Sequence, residues 1–468
     1  MNNTKPKVHV FWYVQLLLIV SLTAACLMAS RESIQRLQAS VLGEPTVPTV
    51  NFRQFEAIRI TPFYDDPRVV SDQQLAEVLN RIRPVFADKE LSPNHVEHAL
   101  RAWGIDAEFQ DPRAMSGERM FEFLTDHGRY LASWGNDTVP LLVQEGDGVR
   151  VRWGRDHGAS VHHDHLMACL TEAGARLDDP VYTAQRNDMT IQDVLQESLR
   201  DFRLDERETE WSTMAFGLWL APSGIKSWKT RDGRVLTFDD LAHRLLRGHQ
   251  RYGVCSGTHR VYSMMVLIRL DDDFQILSPP VRNEVYAHLE FVRDQITQSQ
   301  FDNGRWPPNW YEGRKAIEEP SDEEEYRSVI ATGHHLEWLA IAPEDLHPPQ
   351  EMIYKASDWI IKTTLSQPSE TISRNFTFYS HVGNALCLWR KTRPADFWKT
   401  WQKTHPFVPA ADTAETDKPG TEESGADKPG TDKPGVDKPG TEEPGTEESN
   451  ETTTDDPQRS AAPDSPQD

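Results

Sequence analysis

A polar residue, in most cases histidine, opens an apolar segment at six places along the chain, and this recurrence restricts the fold more than any other feature. The separations from 165 to 211, from 211 to 259 and from 335 to 381 are 46, 48 and 46 residues. The two longer separations each contain an insertion. A period near 46 residues is the length of a helix pair. The aligned residues are His98, His165, Trp211, His259, His335 and His381.

Amphipathic segments alternate with these apolar ones. In segment 191–202, Leu195 and Leu199 lie on one helical face, while Asp193 and Arg200 lie on the other. Helices that are apolar all round are buried, and amphipathic helices cover a core. We therefore predict an all-α fold, an (α/α)6 toroid in which an outer ring of helices wraps an inner ring. The other amphipathic segments are 238–247, 281–296 and 352–363.

The two insertions have recognisable content. Residues 140–144 and 149–153 flank Gly146-Asp147-Gly148 and predict a small β-hairpin. The second insertion is preceded by Gln300 and reads Phe301-Asp302-Asn303-Gly304-Arg305-Trp306. This segment is similar to the Q-x(2–5)-G-x-W element that joins an outer to an inner helix in the terpenoid cyclase and protein prenyltransferase superfamily.

Together with the repeat over residues 90–400, this element resembles the α/α toroids of that superfamily, and also a group of uncharacterised membrane-anchored toroid proteins of bacteria. The resemblance implies a fold and not an activity. Squalene-type cyclases protonate a double bond with a D-x-D-D motif, and the nearest stretch here, Leu270–Phe274, lacks that spacing. Prenyltransferases hold zinc with an Asp, a Cys and a His at set spacing, and no trio in this sequence matches.

An anchor and a linker are predicted before the toroid. Residues 1–29 are predicted to be a transmembrane helix, because Val8–Ala29 carries no charge and is long enough to span a bilayer. A cleaved signal peptide and lipidation at Cys26 are the alternatives. The charges flanking this segment favour a cytoplasmic N-terminus, so we expect a single-pass membrane protein with an extracytoplasmic globular domain. Residues 30–50 are a stalk linker and residues 51–409 the toroid domain.

The acidity of the chain is concentrated in its C-terminal tail. The 468 residues have a formal net charge of −23, and residues 411–468 hold 17 acidic and 5 basic side chains. Pentads such as Thr-Asp-Lys-Pro-Gly recur from Thr416. Such repeats have almost no apolar surface to bury, so we predict that residues 410–468 are a disordered acidic tail. An acidic chain without basic clusters also excludes nucleic acid as a partner.

The recurring polar residues are the predicted functional ones. If the inner helices run parallel, the five aligned histidines lie at one level around one mouth of a central cavity. Imidazole can act as an acid, a base or a metal ligand, and carboxylates can orient it. The alternative is that these residues satisfy helix N-terminal amides and line a wet pore. We predict catalytic roles for His165, His259, His335, Asp164, Glu210 and Glu337, and ligand binding by His98, His381, Cys255, Trp211 and Trp306.

Three features suggest more specific chemistry, each with a structural alternative. His162 and His165 are spaced i, i+3 and suit a shared zinc or iron ion, or else simply begin a helix. Cys255 precedes His259 by four residues at a helix N-terminus that would lower its thiol pKa and make it a nucleophile. Otherwise it is a small residue packed at a helix start. Trp306 belongs to an aromatic loop that either stacks on a ligand ring or is pinned by its own burial.

These expectations combine into a functional hypothesis. The protein is expected to bind, and as an enzyme to process, an extracytoplasmic sugar polymer or peptide at a mouth lined by histidine and carboxylate. The choice of ligand class rests on the ligands that other (α/α)6 barrels accept. The alternative is a non-catalytic envelope scaffold that uses its outer helices and tail for protein contacts. The sequence alone identifies no metal, no cofactor and no reaction.

Overall fold

The computed structural model describes Tyr13, Gln15, Leu16 and residues 50–407, apart from 249–253 and 322–324. The tail and almost all of the predicted anchor and stalk lie outside these residues. In the described part of the chain, no helix is long and apolar enough to cross a membrane. The described residues are mostly helical, with 56% helix and few, short strands, which confirms the predicted all-α class.

The helices include all ten segments predicted from periodicity, and the outer ones agree with their predicted bounds to within three residues. They are α1 (Asp72–Arg81), α2 (Pro93–Trp103), α3 (Gly117–Thr125), α4 (His127–Trp134), α5 (His165–Ala173), α6 (Ile191–Asp201), α7 (Glu210–Leu220), α8 (Phe238–Arg247), α9 (Thr258–Phe274), α10 (Pro279–Ser299), α11 (Lys315–Glu318), α12 (Glu325–Ala340), α13 (Gln350–Ser366), α14 (Ser369–Arg374), α15 (Phe376–Trp389) and α16 (Pro394–Thr404).

Helices α2, α5, α7, α9, α12 and α15 carry the six recurring segments and form the centre of the domain. Each packs against the next in this order, and α15 packs against α2, so their contacts close on themselves. We call these helices the inner helices. Burial explains their composition: all eleven residues of α7 are buried, and in α9 burial extends from Thr258 to Ile268 without interruption.

The amphipathic helices lie outside this group. Helix α8 buries Phe238, Leu241, Ala242 and Leu245 and packs on α7 and α9. Its start is fixed by a capping box, in which Thr237 and Asp240 satisfy each other's backbone amides. Helices α10 and α13 likewise each bury one apolar stripe, as their periodicity predicts. Helix α6 differs, because it also buries Glu197 and Arg200 of its polar face.

Three short hairpins complete the described structure. Strands β1 (Leu142–Glu145) and β2 (Gly148–Val151) pair antiparallel around the Gly146–Asp147 turn, which confirms the predicted hairpin with shorter strands. Two further antiparallel pairs were not predicted, because strands of two or three residues show no periodicity. They are β3 (Pro180–Val181) with β4 (Met189–Thr190), and β5 (Ser227–Lys229) with β6 (Val235–Thr237).

Residues 52–66, the N-terminal strap, run across the ends of several inner helices. The backbone N–H of Ile58 donates to Leu218 O at 3.0 Å, that of Phe63 to Ala340 O at 3.3 Å and that of Asp66 to Trp389 O at 2.9 Å. These carbonyls belong to the last turns of α7, α12 and α15, which have no partner within their own helices. The strap therefore covers a side of the domain on which these three inner helices all end.

The segment after α10 holds its turn through specific contacts. The Gln300 side-chain amide donates to Gly304 O at 2.9 Å and to Met352 O at 2.8 Å. Gly304 has a φ of +98°, and a Cβ added there would lie 2.2 Å from Lys355 O. Only glycine combines that backbone conformation with such a close approach. The turn follows the outer helix α10 and packs against the outer helix α13. The chain then continues to the inner helix α12.

Replacing Gly304 by Ala is expected to lower the free energy of unfolding by about 3 kcal/mol. Left-handed backbone strain accounts for about 1–2 kcal/mol, and displacement of the Lys355 carbonyl adds the rest. Gly135→Ala is the matched control, because Gly135 has a φ of +86° and nothing within 4 Å of the added Cβ. Urea unfolding of both variants measures the difference, and equal losses would show that the close approach to Lys355 is unimportant.

Candidate functional site

Five buried histidines from five inner helices converge in the middle of the domain. The ring centroids are 4.6 Å apart for His98 and His165, 4.6 Å for His259 and His334, and 3.9 Å for His334 and His381. His98 and His381, at 5.5 Å, link these pairs. All five residues are at least nine-tenths buried. We call this group the histidine centre; it contains four of the five aligned histidines.

Trp211 occupies the position of the sixth inner helix, α7. Its ring centroid lies 4.3 Å from that of His165 and 4.5 Å from that of His259, with edge-to-face geometry in both cases. The indole is buried and its Nε1 has no hydrogen-bond partner among the described residues. Trp211 therefore packs between histidines, as the alignment of the six segments placed it.

The prediction that His335 belongs to this group is wrong, because its neighbour His334 takes that place. The His335 ring lies edge-on to Trp310 at 4.7 Å, and Trp338 Nε1 donates to His335 Nδ1 at 3.0 Å. One residue along a helix turns the side chain by about 100°. The alignment assumed a histidine in the first helical turn, whereas α12 begins at Glu325, nine residues before His334.

Trp306 also lies away from the histidine centre. It is fully buried, its Nε1 donates to Ile296 O at 2.8 Å, and its backbone N–H donates to Thr332 Oγ1 at 2.9 Å. These contacts leave no face for a ligand. They agree with the alternative in which burial pins the aromatic loop.

Hydrogen bonds orient three rings of the histidine centre in the same sense. His98 Nδ1 lies 2.8 Å from Asn94 O, His334 Nδ1 lies 2.8 Å from Ile330 O, and His165 Nδ1 contacts Glu97 Oε2. A backbone carbonyl can only accept, so the ring nitrogen facing it carries the hydrogen. In the neutral ring, Nε2 then holds the lone pair. Orientation of this kind by an outer oxygen is common for histidines that bind metals.

The centre is uncharged at neutral pH. Burial lowers the pKa of every one of its histidines, that of His334 to about 4. The rings also repel each other's charged forms, and the nearby Arg101 cation acts in the same direction. Neutral imidazoles can accept a proton or bind a metal ion, but cannot provide a positive charge.

A layer of charged groups lies one to two turns beyond the histidine centre along the inner helices. Arg101 contacts Glu172 Oε2, and its Nη2 lies 3.0 Å from Glu337 Oε1. Tyr262 donates to Glu172 at 2.9 Å. Burial works to lower the pKa of Arg101, but Glu172 and Glu337 raise it well above its usual value. Glu337 Oε2 also lies 3.0 Å from His381 Nδ1, so this predicted residue links the charged layer to the histidine centre.

Glu97 holds His165 from the other side. Burial raises the pKa of Glu97 to about 8, although the hydroxyl of Ser160, which donates at 3.1 Å, opposes this shift. Burial lowers the pKa of His165 at the same time. Burial therefore favours the uncharged form of both groups, and one hydrogen bond joins them.

A second group of polar residues lies nearer the surface, beside the start of α5. The His163 imidazole lies 2.8 Å from Glu206 and 3.5 Å from Asp201, and His162 contacts Glu208. Burial alone would lower the pKa of His163, but the neighbouring carboxylates, Asp164 first among them, raise it to about 11. These side chains are partly exposed. We call His162, His163, Asp201, Glu206 and Glu208 the acidic rim.

The predicted pairing of His162 with His165 on one metal ion does not agree with this geometry. Their ring centroids are 6.0 Å apart, and each imidazole is engaged by its own carboxylate, Glu208 and Glu97 respectively. Residues 162–164 are also not helical, and Asp164 has a left-handed φ of +56°. The i, i+3 argument therefore does not apply to them.

Asp164 and Glu210 have local structural contacts. Ser212 Oγ donates to Asp164 Oδ2 at 2.5 Å, and the Thr209 backbone N–H donates to Glu210 Oε2 at 2.8 Å. The other Glu210 oxygen lies 3.4 Å from Arg260 Nε. Glu210 thus satisfies an amide at a helix start, as in the structural alternative stated above, whereas Asp164 accepts from a side-chain hydroxyl and caps no amide.

Cys255 lies next to the histidine centre in an unusual turn. Cys255, Ser256 and Gly257 have successive φ values of +48°, +59° and +77°. Burial raises the pKa of the Cys255 thiol to about 12. The prediction of a nucleophile with a lowered pKa is therefore wrong: desolvation, with help from the Glu208 and Glu337 charges, outweighs the helix N-terminus.

Among the residues that the structure describes, two sets of three side chains have ligand atoms within 4.8 Å of one another and are spaced to hold a metal ion. One is Cys255, His259 and His334, and the other is His334, Glu337 and His381. A cavity of about 20 Å³ lies between the charged layer and the strap, next to Arg101 and Tyr262. It has room for about one water molecule.

Several residues of the site were missed from the sequence. Glu97 and His334 each stand directly before an aligned histidine. The recurring segments therefore contained both residues, but the alignment selected their neighbours, His98 and His335. Arg101 and Glu172 are charged residues on largely apolar helices, three and seven residues after His98 and His165. A charge on a helix that is otherwise buried is the signal that could have identified them.

Comparison of the chain with protein-family models, with curated proteins and with solved structures gives no match.

Proposed function

We propose that the protein is a membrane-anchored α/α toroid, similar in shape to the terpenoid cyclase and prenyltransferase superfamily, that binds an extracytoplasmic ligand. The closed order of contacts among the inner helices supports the toroid. The acidic rim is the proposed binding surface, because it is the partly exposed part of a polar column that continues into the histidine centre.

The ligand class follows from the chemistry of the rim. Trp153 is 51% exposed, and its ring lies 5.5 Å from that of His163. Aromatic faces pack against the apolar faces of sugar rings, while carboxylates accept hydrogen bonds from hydroxyl groups. The geometry therefore supports a sugar polymer better than a peptide. A lysine-rich peptide is the second candidate, since three carboxylates surround His163.

Binding of N-acetylglucosamine oligosaccharides to the full-length chain, measured by calorimetry, tests this proposal. Trp153→Ala is expected to weaken binding about tenfold, because one stacked ring contributes about 1.4 kcal/mol. Phe291→Ala is the control, since Phe291 is similarly exposed on α10. Hydrolysis of the oligosaccharide would identify an enzyme. Binding that does not depend on Trp153 would place the ligand elsewhere.

A non-catalytic envelope scaffold is the second proposal. It is favoured by the burial of the histidine centre, by Trp211 within it and by the strap across three inner-helix ends. An absence of binding to both the oligosaccharide and a lysine-rich peptide would support this proposal over the first.

A further inference from the structure

Two buried imidazoles of the histidine centre face each other through the same kind of nitrogen. His259 Nε2 and His334 Nε2 are 2.8 Å apart. His334 gives its Nδ1 hydrogen to Ile330 O, so its Nε2 offers a lone pair. His259 Nδ1 has no partner among the described residues. Without another ligand, one N–H···N bond holds this pair and a buried ring nitrogen remains unsatisfied, which is costly.

Two more potential ligands surround this pair. The Sγ atom of Cys255 lies within 4.8 Å of ligand nitrogens of His259 and His334. His381 has its ring centroid 3.9 Å from that of His334 and 5.4 Å from that of His259. Its buried Nε2 has no partner within the described residues. Cys255, His259 and His334 are therefore already spaced for one ion. His381, whose ring lies against that of His334, completes a set of four if its Nε2 turns toward the same ion.

We infer that the histidine centre binds one zinc-class divalent ion, with Cys255 Sγ, His259 Nε2, His334 Nε2 and His381 Nε2 as its ligands. Sulfur and imidazole nitrogen are the ligands that zinc prefers, in tetrahedral sets of four. Bonds of ~2.0–2.1 Å place tetrahedral nitrogens ~3.3 Å apart, so His259 and His334 need to separate by about 0.5 Å. Binding releases the Cys255 thiol proton to solvent and moves the His259 hydrogen from Nε2 to Nδ1.

The charged layer argues for this set over the alternative set of His334, Glu337 and His381. Arg101 lies 3.0 Å from both Glu337 Oε1 and His381 Nδ1. A metal ion on these two atoms would be adjacent to a guanidinium cation, which repels it. Arg101 Nη1 can only donate, so it faces a lone pair on His381 Nδ1, and the hydrogen of this neutral ring is on Nε2. Metal binding moves that hydrogen to Nδ1, where Glu337 Oε2 at 3.0 Å accepts it, and so frees Nε2 as the ligand atom.

The site would be structural. Four protein ligands leave no position for a substrate, and they join α9, α12 and α15 to the turn at Val254–Gly257. The left-handed conformation of Cys255 and Ser256 costs free energy that a ligated thiolate would help to offset. This inference goes beyond the proposed function, because ligand binding at the acidic rim requires no metal ion.

Cobalt titration of the full-length chain, after removal of metals with a chelator, tests the inference. Tetrahedral Co²⁺ gives visible d–d bands, and a thiolate ligand adds a near-ultraviolet charge-transfer band. We expect one Co²⁺ per chain with both signals, and displacement of Co²⁺ by Zn²⁺. Cys255→Ser should lose the charge-transfer band, and His334→Ala should weaken affinity at least a hundredfold.

Cys169→Ser is the matched control, because Cys169 is a buried thiol 3.6 Å from His165 Nε2 but belongs to neither ligand set. It should keep both signals. Circular dichroism verifies that each variant is folded, and a folded Cys255→Ala variant replaces Cys255→Ser if that variant does not fold. A parent chain that binds neither Co²⁺ nor Zn²⁺, or a charge-transfer band that depends on Cys169 and not on Cys255, would overturn the inference. Neither result affects oligosaccharide binding at the rim.

Discussion

Acidifying the metal-free protein from about pH 7 to about pH 5 is expected to lower its free energy of unfolding by about 5 kcal/mol or more. Burial depresses the pKa of the five histidines of the centre and lowers that of His335 to about 3. Because the pKa of each of these histidines is lower in the folded state, the unfolded state takes up protons first as the pH falls, and unfolding becomes more favourable. Below about pH 6.5, each such histidine costs about 1.4 kcal/mol per pH unit.

Other groups change this sum without reversing it. Burial raises the pKa of Glu97 to about 8 and that of Glu197 to about 7, and protonation of these carboxyls in the folded state stabilises it as the pH falls. The pKa of His163 is raised, so its stabilisation of the folded state is fully present below pH 6.5 and is lost only at higher pH. Burial also raises the pKa of Glu206 and of Glu210. It lowers those of His95, His288 and His347 as well, so the histidines outweigh the carboxyls. Urea unfolding in the presence of a chelator measures the profile, and equal stability at the two pH values would contradict burial of neutral histidines.

Arg101→Met is expected to cost about 3–5 kcal/mol of stability. The substitution leaves Glu337, which is almost fully buried, and Glu172 without their shared cation. Arg374→Met is the matched control, because Arg374 pairs with Glu370 at the surface, where the loss should be about 0.5 kcal/mol or less.

Chemical unfolding at neutral pH measures both variants. Adding Glu337→Gln to Arg101→Met should restore part of the loss, since it removes one of the buried charges that the first substitution leaves unpaired. If Arg101→Met and Arg374→Met cost the same, the charged layer does not stabilise the fold.

Periodicity was sufficient to predict the inner helices and four outer ones, but it did not predict α1, α3, α4, α11, α14 or α16. Helix α8 was predicted with its observed bounds, because one apolar stripe runs along it. The apolar runs of α7 and α9 indicated burial on every side. These features depend on side chains a few residues apart, which the sequence displays directly.

The register of the site was harder to predict. His165 and His259 lie in first helical turns, as expected, but His98, His334 and His381 lie further into their helices. A one-residue uncertainty along a helix decides which of two adjacent histidines faces the centre. The partners Glu97, Arg101 and Glu172 depend on contacts between helices, and no local pattern specifies those contacts.

The strap was not predicted, because segment 52–66 has no helical or strand period. Its role comes from the unpaired carbonyls at the ends of α7, α12 and α15, which are a property of the assembled domain. The sequence likewise gave no indication that the Cys255 thiol would be desolvated. Burial there reverses the expected direction of its pKa shift.

The tautomers of the histidines test the central claim, that neutral imidazoles turn their Nδ1–H groups outward and their Nε2 atoms into a buried centre. Long-range ¹H–¹⁵N correlation spectra of the metal-free protein at neutral pH distinguish the two tautomers. The account predicts Nδ1–H forms for His98 and His334, whose Nδ1 atoms face backbone carbonyls. His347, whose Nε2 lies 2.9 Å from Leu339 O, should show the Nε2–H form in the same spectrum. Rings at positions 98 and 334 that average both tautomers, or that titrate near pH 6.5, would contradict it.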